Sequence, residues 1–249
     1  MDLDPRLAVI EKRLSGVTRI LAVTGGKGGI GKSMVASTLA LVLREAGRCV
    51  GLLDLDFTGP CDHIILDIRG PFPEEAFGLV PPEVRGLRFM SVTHFVGEAP
   101  APLRGEDVSN ALIELLCITQ WGDLDFLVID MPPGLGDATL DAVRLISRAE
   151  FLVVATASRV VRQTVARTLR FLTGPDVDIL GVVENMGRGD DRAVSELAGE
   201  FGVPLLGTLP FDETLESAVG NVVQIGTTPF AAALRGILQR ISNDQRRKR

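Results

Sequence analysis

Seven short runs of apolar and β-branched residues recur along the chain: RILAV (19–23), CVGLLD (49–54), LRFMSV (87–92), FLVID (126–130), FLVVAT (151–156), ILGVVEN (179–185) and PLLGTL (204–209). Unbroken apolar runs of this length are what strands buried on both faces look like. Between them, at 34–46, 108–117, 138–147, 161–172 and 193–201, apolar positions fall at helical spacing. The alternation predicts an α/β fold, a mostly parallel, twisted sheet of about seven or eight strands with helices on both faces. Right-handed crossovers then gather the C-terminal ends of the strands along one edge, where ligands bind in such folds.

Residues 1–16 read as a leading helix outside the alternation. The stretch 68–86 holds Pro71, Pro73, Pro81 and Pro82 and reads as an insertion loop. No repeat, low-complexity segment or linker divides the chain, so 1–249 reads as a single domain. Near the end, Phe230, Leu234, Ile237, Leu238 and Ile241 share one helical face. That face fits a last helix docked on the sheet better than an interfacial membrane helix, because the polar stretch SNDQRRKR follows it. Residues 243–249 read as a solvated basic tail.

Composition narrows the setting. The chain of 249 residues is 46% hydrophobic and 23% charged, an ordinary globular balance. Its net charge of −6 repels nucleic acid, which is not an expected partner. Cys49, Cys61 and Cys117 have neither CxxC nor CxC spacing, and three scattered thiols suit a reducing cytoplasm. No apolar run approaches the ~20 residues of a membrane span, and the N-terminus carries no apolar core of signal length, so a membrane partner is not expected either.

The chemistry is concentrated after the first strand, in TGGKGGIGKS. Gly26, four residues, then Gly31, Lys32 and Ser33 reproduce the phosphate-loop spacing between a strand and a helix. Glycines allow several backbone N–H groups to face one anion, and the helix N-terminus adds its dipole. Gly26, Lys27, Gly28, Gly29, Ile30, Gly31, Lys32, Ser33 and Met34 are the expected nucleotide contacts. Lys32 would reach the β- and γ-phosphates, and the Ser33 hydroxyl would hold Mg²⁺. The second strand ends in Asp54, with Asp56 two residues on, where carboxylates reach the ligand crevice. Together they could serve magnesium and the attacking water, or they could be turn aspartates capping the next helix. The fourth run ends in Asp130, followed by MPPGLGD. This is the Walker B pattern, with a stiff turn that sets the Gly134 N–H near a γ-phosphate.

Lys27 is unusual, since an ordinary phosphate loop needs no cation there. KGGxGKS resembles the deviant Walker A ATPases, the MinD, ParA, arsenite-pump and Mrp-type proteins. That resemblance implies an ATPase in which Lys27 crosses a dimer to the partner's nucleotide. DLDFTGP (54–60) resembles the family's first switch, which implies Asp56 for activating water and Asp54 for the magnesium shell. Lys27, Lys32 and Asp56 are then the catalytic set, and Ser33, Asp54, Asp56 and Asp130 the metal set, with ATP and Mg²⁺ as cofactors. DFLVIDMPPGLGD, APLRG (101–105), GVVENM (181–186) and LPFDE (209–213) resemble most closely the Mrp/ApbC branch, which is linked to iron–sulfur cluster carriage. In that comparison Asn185 reads the adenine edge and Pro210 and Asp212 pack against the base; otherwise the last two are a loop proline and a helix cap.

The chain departs from the branch after ENM, where GRGDDRAVSEL stands in place of a CxxC pair and no cysteine follows Cys117. An iron–sulfur cluster needs thiolates or comparable ligands, so carriage by the usual route is not expected. Cys61, Asp62 and His63 form a possible metal trio, although Cys61 also fits a half-buried loop residue. Cys49 and Cys117 read as core, and His94 as a structural histidine. The expected function is a slow, partner-stimulated ATPase, a homodimer or a heterodimer with a related ATPase, helping metal-cofactor or iron–sulfur assembly for a client protein. The alternative is a positioning ATPase of the MinD/ParA kind that associates with membrane or DNA.

Overall fold

The computed structural model describes residues 5–96, 106–174, 177–189 and 192–247. Residues 1–4 of the leading helix, the APLRG segment at 101–105 and the last two residues of the basic tail lie outside them.

The chain runs α1 (Pro5–Leu14), β1 (Val17–Gly25), α2 (Lys32–Glu45), β2 (Val50–Asp54) and α3 (Asp62–Ile65). Next come β3 (Glu74–Glu75), β4 (Leu79–Val80), β5 (Glu83–Val84), β6 (Leu87–Ser91), α4 (Thr93–Val96) and α5 (Glu106–Ile118). Then β7 (Leu124–Asp130), α6 (Asp137–Leu145), β8 (Ala149–Ala155), α7 (Arg159–Leu172), β9 (Asp178–Gly187) and α8 (Arg192–Glu200) follow. The chain closes with β10 (Leu205–Pro210), α9 (Thr214–Ala218), α10 (Val222–Thr227) and α11 (Pro229–Arg247).

The main sheet has eight strands in the order β10-β9-β8-β1-β7-β2-β6-β5. All its pairings are parallel except β5 with β6. Consecutive residues of a strand face opposite sides, and β2 and β8 are buried at every position. Both faces are therefore covered, as the unbroken apolar runs predict. On one side α2 packs on β1, β2 and β7 with α10 and α11 beside it, while α7 packs on β1 and β8 and α8 on β9 and β10. β1 lies between β7 and β8, so the chain reverses its winding at the central strand. That reversal opens the crevice at the C-terminal end of β1. Register aligns Asp130 with Val23 on one side and with Asp54 on the other. Aligned residues of parallel neighbours share a face, so the sheet itself sets the two carboxylates side by side.

Three readings change. The insertion at 68–86 is not a bare loop: β3 and β4 pair as a small antiparallel ribbon, and β5 folds back on β6. Gln120 N–H donates to Leu79 O at 2.8 Å and Arg13 Nη2 to Phe77 O at 2.7 Å, which ties the ribbon to α1 and the end of α5. The basic tail is not separate, because α11 continues through Arg247. Cys49 is exposed rather than core: its backbone is held by the 2.9 Å contact from its N–H to Asp125 Oδ2, just before β2 begins. The last helix docks as expected, with Phe230, Leu234, Ile237 and Ile241 buried against the core and α11 lying on β10 and α2.

Candidate functional site

The loop from β1 to α2 has the geometry that its glycines permit. Gly29 and Gly31 adopt φ of 77° and 82°, a region that other residues enter at a cost. A Cβ on Gly26 would come within 2.5 Å of the Thr164 backbone, so only glycine lets the loop lie against α7. Asn185, at the end of β9, donates from Nδ2 to Ile30 O at 2.8 Å and holds the loop from the other side. The α2 N-cap, Gly31, has no side chain to cap the first turn, which leaves those N–H groups to be met by an anion. Lys27 is exposed and makes no hydrogen bond or ion pair among the described residues.

Beneath the loop sits a buried ionic cluster. Lys32 Nζ lies 2.5 Å from Asp130 Oδ1, with side chains only 6% and 0% exposed. Asp54 Oδ1 accepts from the Asp56 N–H at 3.0 Å. Asp62, the first residue of α3, turns inward, and its Oδ1 accepts from Ser37 Oγ at 2.6 Å. Among the described residues, Asp54, Asp62 and Asp130 form a group with one ligand oxygen each within 4.8 Å of one another. Asp54 Oδ2, Asp62 Oδ2 and Asp130 Oδ2 are buried without a hydrogen-bond partner. The Ser33 hydroxyl contacts Asp130 and the Cys61 thiol. Oxygen donors with orphaned lone pairs suit a hard divalent cation, so the residues present fit Mg²⁺.

Electrostatics follow from this burial. Burial, then Asp130, pushes the Asp54 carboxyl up to about 7. Burial, then Asp130 and Asp54, raises Asp62 well above the usual carboxylate range. Burial raises Asp130 although Lys32 opposes it. Burial works against the Lys32 ammonium, but Asp130, with Asp56 and Asp62 behind it, more than offsets this and holds its pKa above normal. A carboxyl whose pKa is higher folded than unfolded binds more protons in the folded state. Its contribution to stability therefore falls as pH rises from its ordinary value of 3.8 to about 7. With divalent cations chelated, Asp54→Asn is expected to melt above the unaltered chain by a margin that widens across this window. The difference should reach on the order of several °C by calorimetry. A margin independent of pH would contradict the assignment.

The remaining sequence candidates divide. Asp56 Oδ1 accepts from the N–H and hydroxyl of Thr58 at 3.2 and 2.7 Å and from the Gly59 N–H at 3.0 Å, so it closes the turn that follows β2. Gly134, with φ of 72°, is positioned over the Gly26 carbonyl and is held by Thr139 Oγ1, which donates to its carbonyl at 2.9 Å. Asn185, expected at an adenine edge, donates one of its two amide N–H bonds to Ile30 O in the phosphate loop. Asp212 accepts from the N–H and hydroxyl of Thr214 at 3.0 and 2.6 Å, the turn that opens α9, and Pro210 closes β10. Pro210 is therefore a strand-end rather than a loop residue, and Asp212 precedes Glu213, the N-cap of α9. The Cys61–Asp62–His63 trio does not assemble as a metal group among the described residues, because Asp62 points into the carboxylate cluster. Burial pushes the Cys61 thiol up to about 11, unlike a ready thiolate. Burial lowers the His94 pKa, and its ring tilts against Phe89 at 5.6 Å while Nδ1 meets Ser91 O at 3.2 Å, a structural histidine. Sequence reasoning missed Asp62 as a partner of Asp54 and Asp130, since only α3 reveals which way it turns.

A family model described as the NUBPL iron-transfer P-loop NTPase, ParA, matches residues 16–242. The iron-sulfur cluster carrier protein of Aquifex aeolicus is 34% identical over 220 residues, 81% of this chain and 60% of its own length. The human cytosolic Fe-S cluster assembly factor NUBP2 is 35% identical over 257 residues, 92% of this chain and 93% of its own. Among solved structures, the ADP-bound nucleotide-binding protein of Archaeoglobus fulgidus superposes with a TM-score of 0.74 at 27% identity, covering 91% of this chain and 95% of that one. The Pyrococcus furiosus cell division ATPase MinD shares the fold, with a TM-score of 0.69 at 23% identity over 91% of this chain and 99% of its own. A phosphate loop resting on a buried Lys32–Asp130 pair, together with a match across nearly the whole chain, makes this protein a member of the ParA/NUBPL family of P-loop NTPases.

Proposed function

We propose that the chain is a slow, partner-stimulated Mg²⁺-dependent ATPase that works as a dimer in iron–sulfur or other metal-cofactor assembly, serving a client protein. The observation that carries this reading is the Lys32–Asp130 pair beneath an uncapped helix start, with Asp54 alongside. Ser33, Asp54 and Asp130 would hold magnesium, which neutralises charge on the transferred phosphoryl group. Lys32 positions the β- and γ-phosphates, the Gly134 N–H meets the γ-phosphate, and Asp56 orients and deprotonates the attacking water. Lys27, exposed beside the phosphates, is free to serve a partner's nucleotide. Ile64, Leu135, Val160 and Phe211 are exposed apolar side chains on segments leaving the C-terminal ends of β2, β7, β8 and β10. An apolar surface on the nucleotide edge supports pairing of two chains there.

The assembly role rests on the relatives, which are named iron-sulfur cluster carriers and assembly factors. Residues 118–249 contain no cysteine, and burial pushes the Cys61 thiol up, which supports a role without a cluster of the CxxC kind. After anaerobic reconstitution with iron and sulfide, the purified chain is expected to hold no stable cluster by absorbance and metal analysis. A stable cluster lost on Cys61→Ala would overturn that point. The positioning alternative is disfavoured because the apolar face of α11 is covered by the sheet. No helix among the described residues is long and apolar enough to cross a membrane. Strong ATP-dependent pelleting with liposomes or DNA would favour the alternative instead.

A further inference from the structure

Asp62 is unused by the nucleotide chemistry above, yet it is among the most deeply buried ionisable groups of the described residues, with no exposed surface. An isolated buried carboxylate is costly unless it is paired or bound to metal. Ser37 on α2 meets Oδ1 at 2.6 Å, and Oδ2 is left unmet. The orphaned oxygens of Asp54 and Asp130 make the same demand in the same pocket. The one lysine of the cluster, Lys32, is engaged 2.5 Å from Asp130. Once ionised, the three carboxyls outnumber the one ammonium, and a divalent cation that displaces their protons would balance the excess.

Magnesium ordinarily binds through one or two protein carboxylates and takes the rest of its coordination from nucleotide phosphates and water. A third carboxylate removes part of the need for phosphate. We infer that Asp62 completes a cation site with Asp54 and Asp130, positioned by Ser37, which takes a hard divalent ion such as Mg²⁺ or Mn²⁺ before any nucleotide arrives. The inference rests on the reading of Asp54 and Asp130 as magnesium residues. All-oxygen donors exclude a preference for the soft, thiolate-seeking metals.

The test uses Mn²⁺ alone as the probe, read as loss of the free-ion EPR signal on titration with the intact chain. The unaltered chain is expected to bind one Mn²⁺ without nucleotide. Asp62→Asn should weaken this at least about tenfold, and Ser37→Ala, which frees the Asp62 carboxylate, by about tenfold. Mn²⁺ left free by the unaltered chain, or bound equally by Asp62→Asn, overturns the inference. Should Asp62→Asn fail to fold, Ser37→Ala decides: unchanged affinity there overturns it. Mn²⁺–ATP is titrated in parallel. Binding of Mn²⁺–ATP without binding of Mn²⁺ alone leaves the ATPase reading standing and removes only this inference; binding of neither removes both.

Discussion

Lys32→Ala is expected to abolish ATP binding in the working range, weakening it by roughly a hundredfold or more in calorimetric titration, because charge-assisted contacts to phosphate each contribute about 1.5–3 kcal/mol. The same change uncovers Asp130. Its carboxylate is fully buried and its close cationic partner is Lys32. A buried charge robbed of its partner destabilises strongly, so the variant should also melt well below the unaltered chain. Adding Asp130→Asn should restore much of the melting temperature without restoring ATP binding, because the amide needs no counter-charge. Recovery of binding by the double variant would show that Lys32 serves the fold alone. Arginine is a poor rescue, since its planar fork cannot occupy a site built for a compact ammonium.

Asp56→Ala is expected to slow hydrolysis by about 10²–10⁴-fold while leaving Mg²⁺–ATP binding near normal, the range typical of a general base. Asp56 also closes the turn through Thr58 and Gly59. Asp56→Asn separates the two roles: asparagine can accept the same hydrogen bonds but cannot take a proton from water. Hydrolysis as slow in the asparagine variant as in the alanine variant supports the base. Recovery with asparagine would make Asp56 a turn residue only.

Much of this site is legible in the sequence because its parts follow local rules. Glycine spacing fixes the loop, and apolar runs fix the strands, so Asp54 and Asp130 fall at strand ends that the sheet aligns. What stayed hidden depended on side-chain direction across long separations. Asp62 looks like one member of a loop trio until α3 turns it toward Asp54 and Ser37. The Asn185 amide N–H on Ile30 O is likewise a contact between residues distant in sequence. The ribbon at Glu74–Val80 is equally hard to foresee, since strands of two residues carry no periodic signal.

The proposed sharing of a nucleotide site between two chains is tested most directly by mixing two inactive chains. Lys27→Ala lacks the residue offered to a partner, and Asp56→Ala lacks the residue used on its own nucleotide. In a mixed dimer the Lys27→Ala chain keeps Asp56 and receives Lys27 from its neighbour, so one complete site forms. Phosphate release, near background for each variant alone, is expected to rise on mixing to roughly a quarter of the unaltered rate, as random pairing of a two-fold dimer gives. No rise on mixing, with heterodimers verified by mass, would contradict a nucleotide site built from two chains.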